Sequence, residues 1–226
     1  MKNPLIGANL LLDAVVAPAA GCARVLRAPR ALGPLLLLGA LGTGIHIVSM
    51  ILIEPAIRND ALLADTLGGP GDTTGLFRAA QVGVALFAPF GIVLRAGLLS
   101  LMLDATAAVL GRGKTGRSLW VWLIGIEIVL VLEQAAGLVA LALDPPASLD
   151  ALPASGLHAG LGLLVDFASP LLAAIADSAS AFTLWWAALL ALGLTRVARF
   201  RSGTAIALAA ACWIGVVGIR TVAALR

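Results

Sequence analysis

The amino-acid sequence predicts an all-α fold: a polytopic membrane bundle of five transmembrane helices, with an N-terminal amphipathic helix in the membrane interface. Hydrophobic residues make up 61% of the 226 residues and charged residues 12%, whereas soluble domains average about 45–50% apolar and 25% charged. Several apolar stretches exceed the roughly 18 residues that mark a spanning helix. Basic residues cluster on alternate loops, which is the pattern of a membrane topology and not of a nucleic-acid-binding face.

The first segment, residues 1–30, is apolar but too interrupted to span a membrane. Asp13 and neighbouring arginines add charge, so we expect a helix that lies in the interface and bends at Pro18. Residues 19–22 (AAGC) resemble a lipoprotein processing site, but Asp13 and Pro18 interrupt the apolar run that such a signal needs. The interfacial helix is the favoured interpretation, and lipidation of Cys22 stays an open alternative.

The predicted transmembrane domain covers residues 31–226. Its spans are expected at about 31–53, 79–110, 119–143, 180–194 and 203–225. The second span is too long for a straight crossing at about 1.5 Å per residue, so we expect tilt or a kink at Pro89 and Gly91. Residues 146–178 are ambiguous: they are predicted as an outer-surface loop or helix, a re-entrant piece, or the beginning of a long fourth span.

The basic residues predict the orientation. Ten of the 15 basic residues lie in the N-terminal segment and in two loops, and the intervening loops carry few: the ten are Lys2, Arg24, Arg27, Arg30, Arg112, Lys114, Arg117, Arg196, Arg199 and Arg201. The intervening loops are acidic, with Glu54, Asp60, Asp65, Asp72, Asp144 and Asp150. With a cytoplasmic N-terminus and an external C-terminus, every basic loop lies on the cytoplasmic side, as the positive-inside rule requires. Arg220 and Arg226 are expected at an outer end, where their side chains snorkel towards water.

Four polar residues lie deep inside the apolar stretches. A charge at the centre of a bilayer costs roughly 2.5–3.5 kcal/mol, so such residues normally face the protein interior and pair. Counting the helical rise puts Arg95 and Glu127 at matching depths, which predicts one polar layer. The same count puts His46 and Glu133 together at about 21 Å from the inner face, which predicts a second layer. Glu127 and Glu133 project about 120° apart and need different partners.

Two interpretations of these layers stay open. In the first, Arg95 and Glu127 form a buried pair that holds two helices in register. In the second, the layers form a polar conduit or solute pocket in which Glu133 and His46 handle protons or cations. Further out, Asp166 and Asp177 are eleven residues apart, share a helical face and are candidates for an outer vestibule.

The sequence gives no sign of catalysis. It contains no nucleophile–base pair and no cofactor motif, and two carboxylates with one histidine are too few converging ligands for a metal site. Residues 113–115 (GKT) lack the earlier glycine of a phosphate-binding loop, because position 108 is Ala108, and no strand precedes them. We therefore predict no enzyme, no cofactor and no metal.

The end of the chain carries a family resemblance. It combines a Phe182-x-x-Trp185 entry, Gly193, a short basic loop with Ser202, and a final apolar helix. Together with the prolines before the first span and the basic turn between spans two and three, this arrangement resembles the bacterial branch of the Yip family (Ypt/Rab-interacting, five-span membrane proteins). The resemblance covers nearly the whole chain as an arrangement.

The resemblance implies a bacterial inner-membrane protein without catalytic residues. Such a protein is expected to act as a partner, assembly or trafficking-type factor for membrane machinery, such as an ABC transporter. Apart from the resemblance, several glycines allow close helix approach, which internal packing or a homo-oligomer explains equally: Gly39, Gly42, Gly44, Gly215 and Gly218, with Gly156 and Gly160 if that segment is helical. The chain has no tyrosine and lacks the Asp-Leu-Tyr-Gly-Pro signature of the eukaryotic relatives, so binding of small GTPases is not implied. The alternative is a small oligomeric transporter or an ion or proton channel that uses Arg95, Glu127, Glu133 and His46.

Overall fold

A computed structural model describes residues 6–58, 73–110, 116–145 and 169–224. Every regular element within these ranges is an α-helix. The helices are α1 (Ile6–Val16), α2 (Pro18–Arg27), α3 (Leu32–Arg58), α4 (Thr73–Val109), α5 (Gly116–Leu143), α6 (Pro170–Ser178), α7 (Ala181–Arg196) and α8 (Ser202–Ala224). The chain is therefore a helical bundle, as the composition predicts.

Four of the described helices contain segments that are long and apolar enough to cross a membrane. These segments are Leu32–Ala56, Phe90–Val109, Gly116–Leu143 and Ser202–Val222. The remaining predicted span corresponds to α7, which is apolar but has only 16 residues. At 1.5 Å per residue, α7 is about 24 Å long, shorter than a hydrocarbon core of about 30 Å.

The N-terminal segment forms two helices where the sequence predicts one bent helix. The break lies at Ala17, and Pro18 occupies the first turn of α2, where its missing N–H costs no hydrogen bond. An ion pair of 2.7 Å between Arg24 Nε and Asp13 Oδ2 links the two helices. Their apolar sides, including Leu10 and Val25, are buried in the main core. The pair is therefore packed onto the bundle.

Helix α5 lies at the centre of the fold. All ten residues from 121 to 130 are buried, as expected for a helix that is apolar all round and surrounded by other helices. Trp122 has the largest fully buried side chain among the described residues, and its indole Nε1 donates to the Leu189 carbonyl of α7 at 3.1 Å. The indole ring lies between Gly21 of α2 and Gly193 of α7, where a Cβ atom would press on it. Trp122 thus joins three helices.

Neighbouring side chains approach closely at Gly21 and Gly193, whereas four of the glycines named from the sequence have open space around them. The sequence suggests close packing or dimerisation at Gly39, Gly42, Gly44, Gly215 and Gly218. A Cβ atom placed on Gly42, Gly44, Gly215 or Gly218 would meet no atom of the described residues within 4 Å. Internal packing within the described residues therefore does not explain these four.

The ambiguous region is described only in part. Residues 146–168, including the vestibule candidate Asp166, lie outside the described residues, and so does the side chain of Asp177. The described part is the nine-residue helix α6, which begins at Pro170 and packs against α8. Helix α4 is continuous through Pro89 and Gly91, and its 37 residues extend beyond the 20-residue apolar segment Phe90–Val109.

Candidate functional site: two arginine–carboxylate clamps and a cavity

The predicted pair between Arg95 and Glu127 is present and joins α4 to α5. Arg95 Nη2 donates to Glu127 Oε2. The Glu127 side chain is 2% exposed and the Arg95 side chain 43% exposed. Because an isolated carboxylate cannot be buried in an apolar core without a large cost, the Arg95 guanidinium is what permits Glu127 to lie there.

The predicted pairing of Glu133 with His46 is wrong, because Glu133 pairs with Arg220 of α8. Arg220 donates through Nη2 to Glu133 Oε2 at 2.9 Å and through Nη1 to Oε1 at 3.2 Å. The Ser180 hydroxyl also donates to Glu133 Oε1. Glu133 is fully buried and Arg220 is 17% exposed. Such bidentate pairs are among the stronger charge-assisted hydrogen bonds in proteins.

Helix geometry explains why Glu133 does not meet His46. Glu133 is six residues after Glu127 and therefore points about 120° away around α5, towards α7 and α8. Arg220 lies 18 residues after the beginning of α8, or about 27 Å along it, and Glu133 lies about 26 Å along α5. The depths of Arg220 and Glu133 therefore match, as a paired contact requires. The sequence-based expectation that Arg220 extends to the outer surface is why this pair was not predicted.

We call the ion pair of Arg95 with Glu127 the first clamp and that of Arg220 with Glu133 the Glu133 clamp. A polar network surrounds the Glu133 clamp. Ser180 caps α7 by accepting from the Thr183 N–H at 3.1 Å, and Thr183 in turn accepts from the Trp213 indole at 3.2 Å. Thr221 donates to Ser178 at 3.4 Å. These contacts satisfy buried hydroxyl groups that would otherwise cost free energy in an apolar interior. The network ties α6, α7 and α8 to one point on α5.

His46 lines a cavity of about 240 Å³ between α3, α4 and α5. The polar side chains of this cavity are His46, Arg95 and Gln134, and the remaining lining is glycine and branched aliphatic residues. Glu133 does not line it. The four residues of the predicted polar layers thus form no single path: Arg95 and His46 border the cavity, Glu127 lies behind Arg95, and Glu133 belongs to the other clamp.

The described residues contain no group of three histidine, cysteine, aspartate or glutamate side chains that converges on a metal position. The Trp186 indole N–H is buried and has no partner in hydrogen-bonding geometry among the described residues.

Exchanging the two charges of the first clamp tests its structural role. We expect Arg95→Glu to lower the free energy of unfolding by about 3 kcal/mol, because two carboxylates then face each other in the interior. The double variant Arg95→Glu/Glu127→Arg should recover at least half of that loss. Unfolding of the purified protein in mixed detergent micelles, followed by circular dichroism, measures both values. No recovery in the double variant would contradict a simple clamp.

Cys22 lies outside the spanning segments, and its reactivity is testable. Burial raises the pKa of the Cys22 thiol to about 11, and the charge of Arg196 offsets this in part. Because the thiolate is the nucleophile, we expect alkylation by iodoacetamide at about pH 8 to be roughly 100-fold slower than for an exposed thiol of ordinary pKa. The rate should rise as the pH approaches the pKa. A Cys212→Ala background isolates the signal, and equal rates in folded and denatured protein would refute the expectation.

The chain was compared with protein-family models, with curated proteins and with solved structures, and nothing matches. The resemblance to the Yip family therefore rests on the sequence features alone.

Proposed function

We propose that this chain is a five-span protein of a bacterial inner membrane, of the Yip type, and a non-enzymatic partner or assembly factor for other membrane machinery. Its N-terminus is then cytoplasmic and its C-terminus external. The proposal is supported most by one observation: among the described residues, the buried carboxylates Glu127 and Glu133 are each neutralised by an arginine of a neighbouring helix. In such a bundle the ion pairs hold neighbouring helices together, which suits a structural role.

Helix α7 is the proposed fifth span. It packs against both α5 and α8, and it begins at the buried Ser180 cap and ends in the basic sequence that includes Arg196. A 16-residue helix can cross where flanking residues and local thinning of the bilayer reduce the distance. This count places all basic loops on the cytoplasmic side.

Helix α8 offers the surface on which a partner helix would pack. Ile214 and Ile219 are more than half exposed, and no described atom lies within 4 Å of a Cβ placed on Gly215 or Gly218. Glycines that face outwards let a second helix approach its backbone closely, which is a common basis of helix association in membranes. The partner proposed here is an apolar transmembrane helix of a membrane complex, such as an ABC transporter.

Photocrosslinking in intact cells tests this proposal. A photoreactive amino acid at position 219 should yield one discrete crosslinked membrane protein, which mass spectrometry identifies. Gly218→Leu should abolish that product, because the added side chain blocks close approach. Gly44→Leu is the matched control, since Gly44 also has open space around it but lies on α3. Crosslinks to lipid alone in the wild-type protein would refute the partner role, and a product of twice the chain mass would indicate a homo-oligomer in its place.

A second candidate function is transport of a small solute or ion, and the cavity beside His46 and Arg95 favours it. Flux into liposomes that contain the purified protein tests this candidate. Loss of flux in Glu127→Gln, with wild-type folding, would support a path beside the first clamp. The matched variant Glu133→Gln should leave such a path intact, because Glu133 pairs with Arg220 of α8, whereas Glu127 pairs with the cavity residue Arg95.

A further inference from the structure

The ion pair with Glu127 uses only some of the N–H donors of the Arg95 guanidinium. A guanidinium carries five N–H donors, and the hydrogen bond from Arg95 to Glu127 involves Nη2 alone. The Arg95 side chain is 43% exposed and lines the cavity. Arg95 thus borders the cavity with N–H donors that have no hydrogen-bond acceptor among the described residues.

The depth of the cavity makes this exposure costly. Arg95 lies 14 residues before the end of α4, and His46 lies 14 residues after the beginning of α3, so each is about 21 Å from its helix end. In a membrane this level is within the hydrocarbon core, where an unmet donor costs several kcal/mol. An acceptor group in the cavity would remove that cost.

The chemistry of the lining selects the acceptor. His46 and Gln134 are the other polar residues of the lining, and the walls are otherwise glycine and aliphatic side chains. A cavity of about 240 Å³ is smaller than the roughly 300–1,000 Å³ of drug-sized pockets, so it suits one small group. A planar carboxylate matches the free edge of a guanidinium in a bidentate arrangement. A phosphate would add up to two negative charges and is therefore less suited to this depth.

We propose that this cavity binds a carboxylate group, with Arg95 as its main donor and with His46 and Gln134 as further polar contacts. The carboxylate belongs either to a short free acid or to the head of a fatty acid whose chain leaves the cavity between the helices. This site goes beyond the proposed partner role and does not depend on it.

Charge balance gives His46 a specific role. Arg95 and Glu127 neutralise each other, so a bound carboxylate leaves the site with one negative charge. His46 is the titratable group that borders the cavity with Arg95, and Glu127 lies behind Arg95. Protonation of His46 restores neutrality, so the carboxylate binds together with a proton. Affinity should therefore rise as the pH falls below about 8, by at most about tenfold per unit, because binding takes up one proton.

Equilibrium dialysis against protein in phosphatidylcholine nanodiscs tests the proposal, with radiolabelled acetate and radiolabelled decanoate as probes and empty nanodiscs as the blank. We expect saturable binding of about one probe per chain. Acetate binding would identify a free acid, and decanoate binding without acetate binding would identify a fatty-acid head. Absence of saturable binding for both probes would overturn the proposal.

Two glycines of α3 provide matched variants that leave the clamp untouched. Gly42 lines the cavity and Gly44 does not, yet a Cβ on either glycine meets no described atom within 4 Å. Gly42→Leu should fill the cavity and weaken binding at least about tenfold, which corresponds to about 1.4 kcal/mol. Gly44→Leu should bind as the wild type does. Equal binding by both variants would overturn the assignment of the site.

The variant His46→Gln tests whether the carboxylate binds together with a proton on His46. It should remove the rise in affinity at low pH, while binding at about pH 8 changes little because His46 is neutral there. A pH dependence that persists in His46→Gln would overturn the role of His46. Crosslinking from position 219 reports on α8 and is independent of these results, so failure of one proposal does not imply failure of the other.

Discussion

Replacement of Gly193 by alanine should lower the free energy of unfolding by about 3 kcal/mol, the upper part of the usual range for overpacking. A Cβ at this position would overlap Nε1 and Cδ1 of the Trp122 indole. The indole cannot move aside, since it is fully buried and donates to the Leu189 carbonyl at 3.1 Å. On its other side, a Cβ at Gly21 would be only 3.0 Å from Trp122 Cζ3. Detergent unfolding followed by circular dichroism measures the loss.

Gly97→Ala is the matched control for this prediction. Gly97 is also a helical glycine, but a Cβ there meets no described atom within 4 Å, so alanine should stabilise by about 0.5–1 kcal/mol through helix propensity. A further test repeats Gly193→Ala in a Trp122→Leu background, where the cost should shrink because the smaller side chain can yield. If Gly193→Ala and Gly97→Ala change the free energy of unfolding equally, Trp122 is not tightly packed between α2 and α7.

Removal of Glu133 should have a comparable or larger effect. We expect Glu133→Leu to cost about 3–5 kcal/mol of unfolding free energy, because it leaves Arg220 charged and unpaired in the interior. The substitution also removes the acceptor of the Ser180 hydroxyl at the beginning of α7. The double variant Glu133→Leu/Arg220→Leu should recover most of the loss, since a well-packed apolar pair often replaces a buried ion pair without cost.

Asp144→Leu serves as the control for a lost negative charge. Asp144 is exposed just beyond the end of α5, and substitutions at such positions usually change stability by less than about 0.5 kcal/mol. The same unfolding measurement applies to all these variants. If Glu133→Leu costs no more than Asp144→Leu, or if the double variant is less stable than the single one, the Glu133–Arg220 clamp is not a stabilising contact.

The two clamps differ in how far the sequence could predict them. Arg95 and Glu127 lie in adjacent helices at matching depths, so the cost of an unpaired charge in an apolar interior was enough to predict the pair. Glu133 and Arg220 are 87 residues apart, and their depths also match. The sequence could not show that α5 turns its Glu133 side towards α8, because that depends on how the helices are arranged around α5.

The central position of Trp122 is a second feature that the sequence does not reveal. Trp122 is one of several large apolar residues in an apolar stretch, and nothing in the local pattern distinguishes it from Trp120. Its role follows from two glycines on other helices, Gly21 and Gly193, which are more than 170 residues apart in the chain. Packing of this kind is specific to the three-dimensional arrangement, because side-chain volumes must fit across several helices at once.

The sequence by itself determined the all-helical class, the apolar segments and the need for Arg95 and Glu127 to pair, because hydrophobic length and the cost of a buried charge act locally along each helix. The tertiary structure alone decided which helix faces meet. In the folded chain Glu133 pairs with Arg220, His46 lies on a cavity beside Arg95, and Trp122 packs between α2 and α7. The physical reason is that depth is a one-dimensional property of a helix, whereas the rotation and neighbours of a helix depend on packing across the whole bundle.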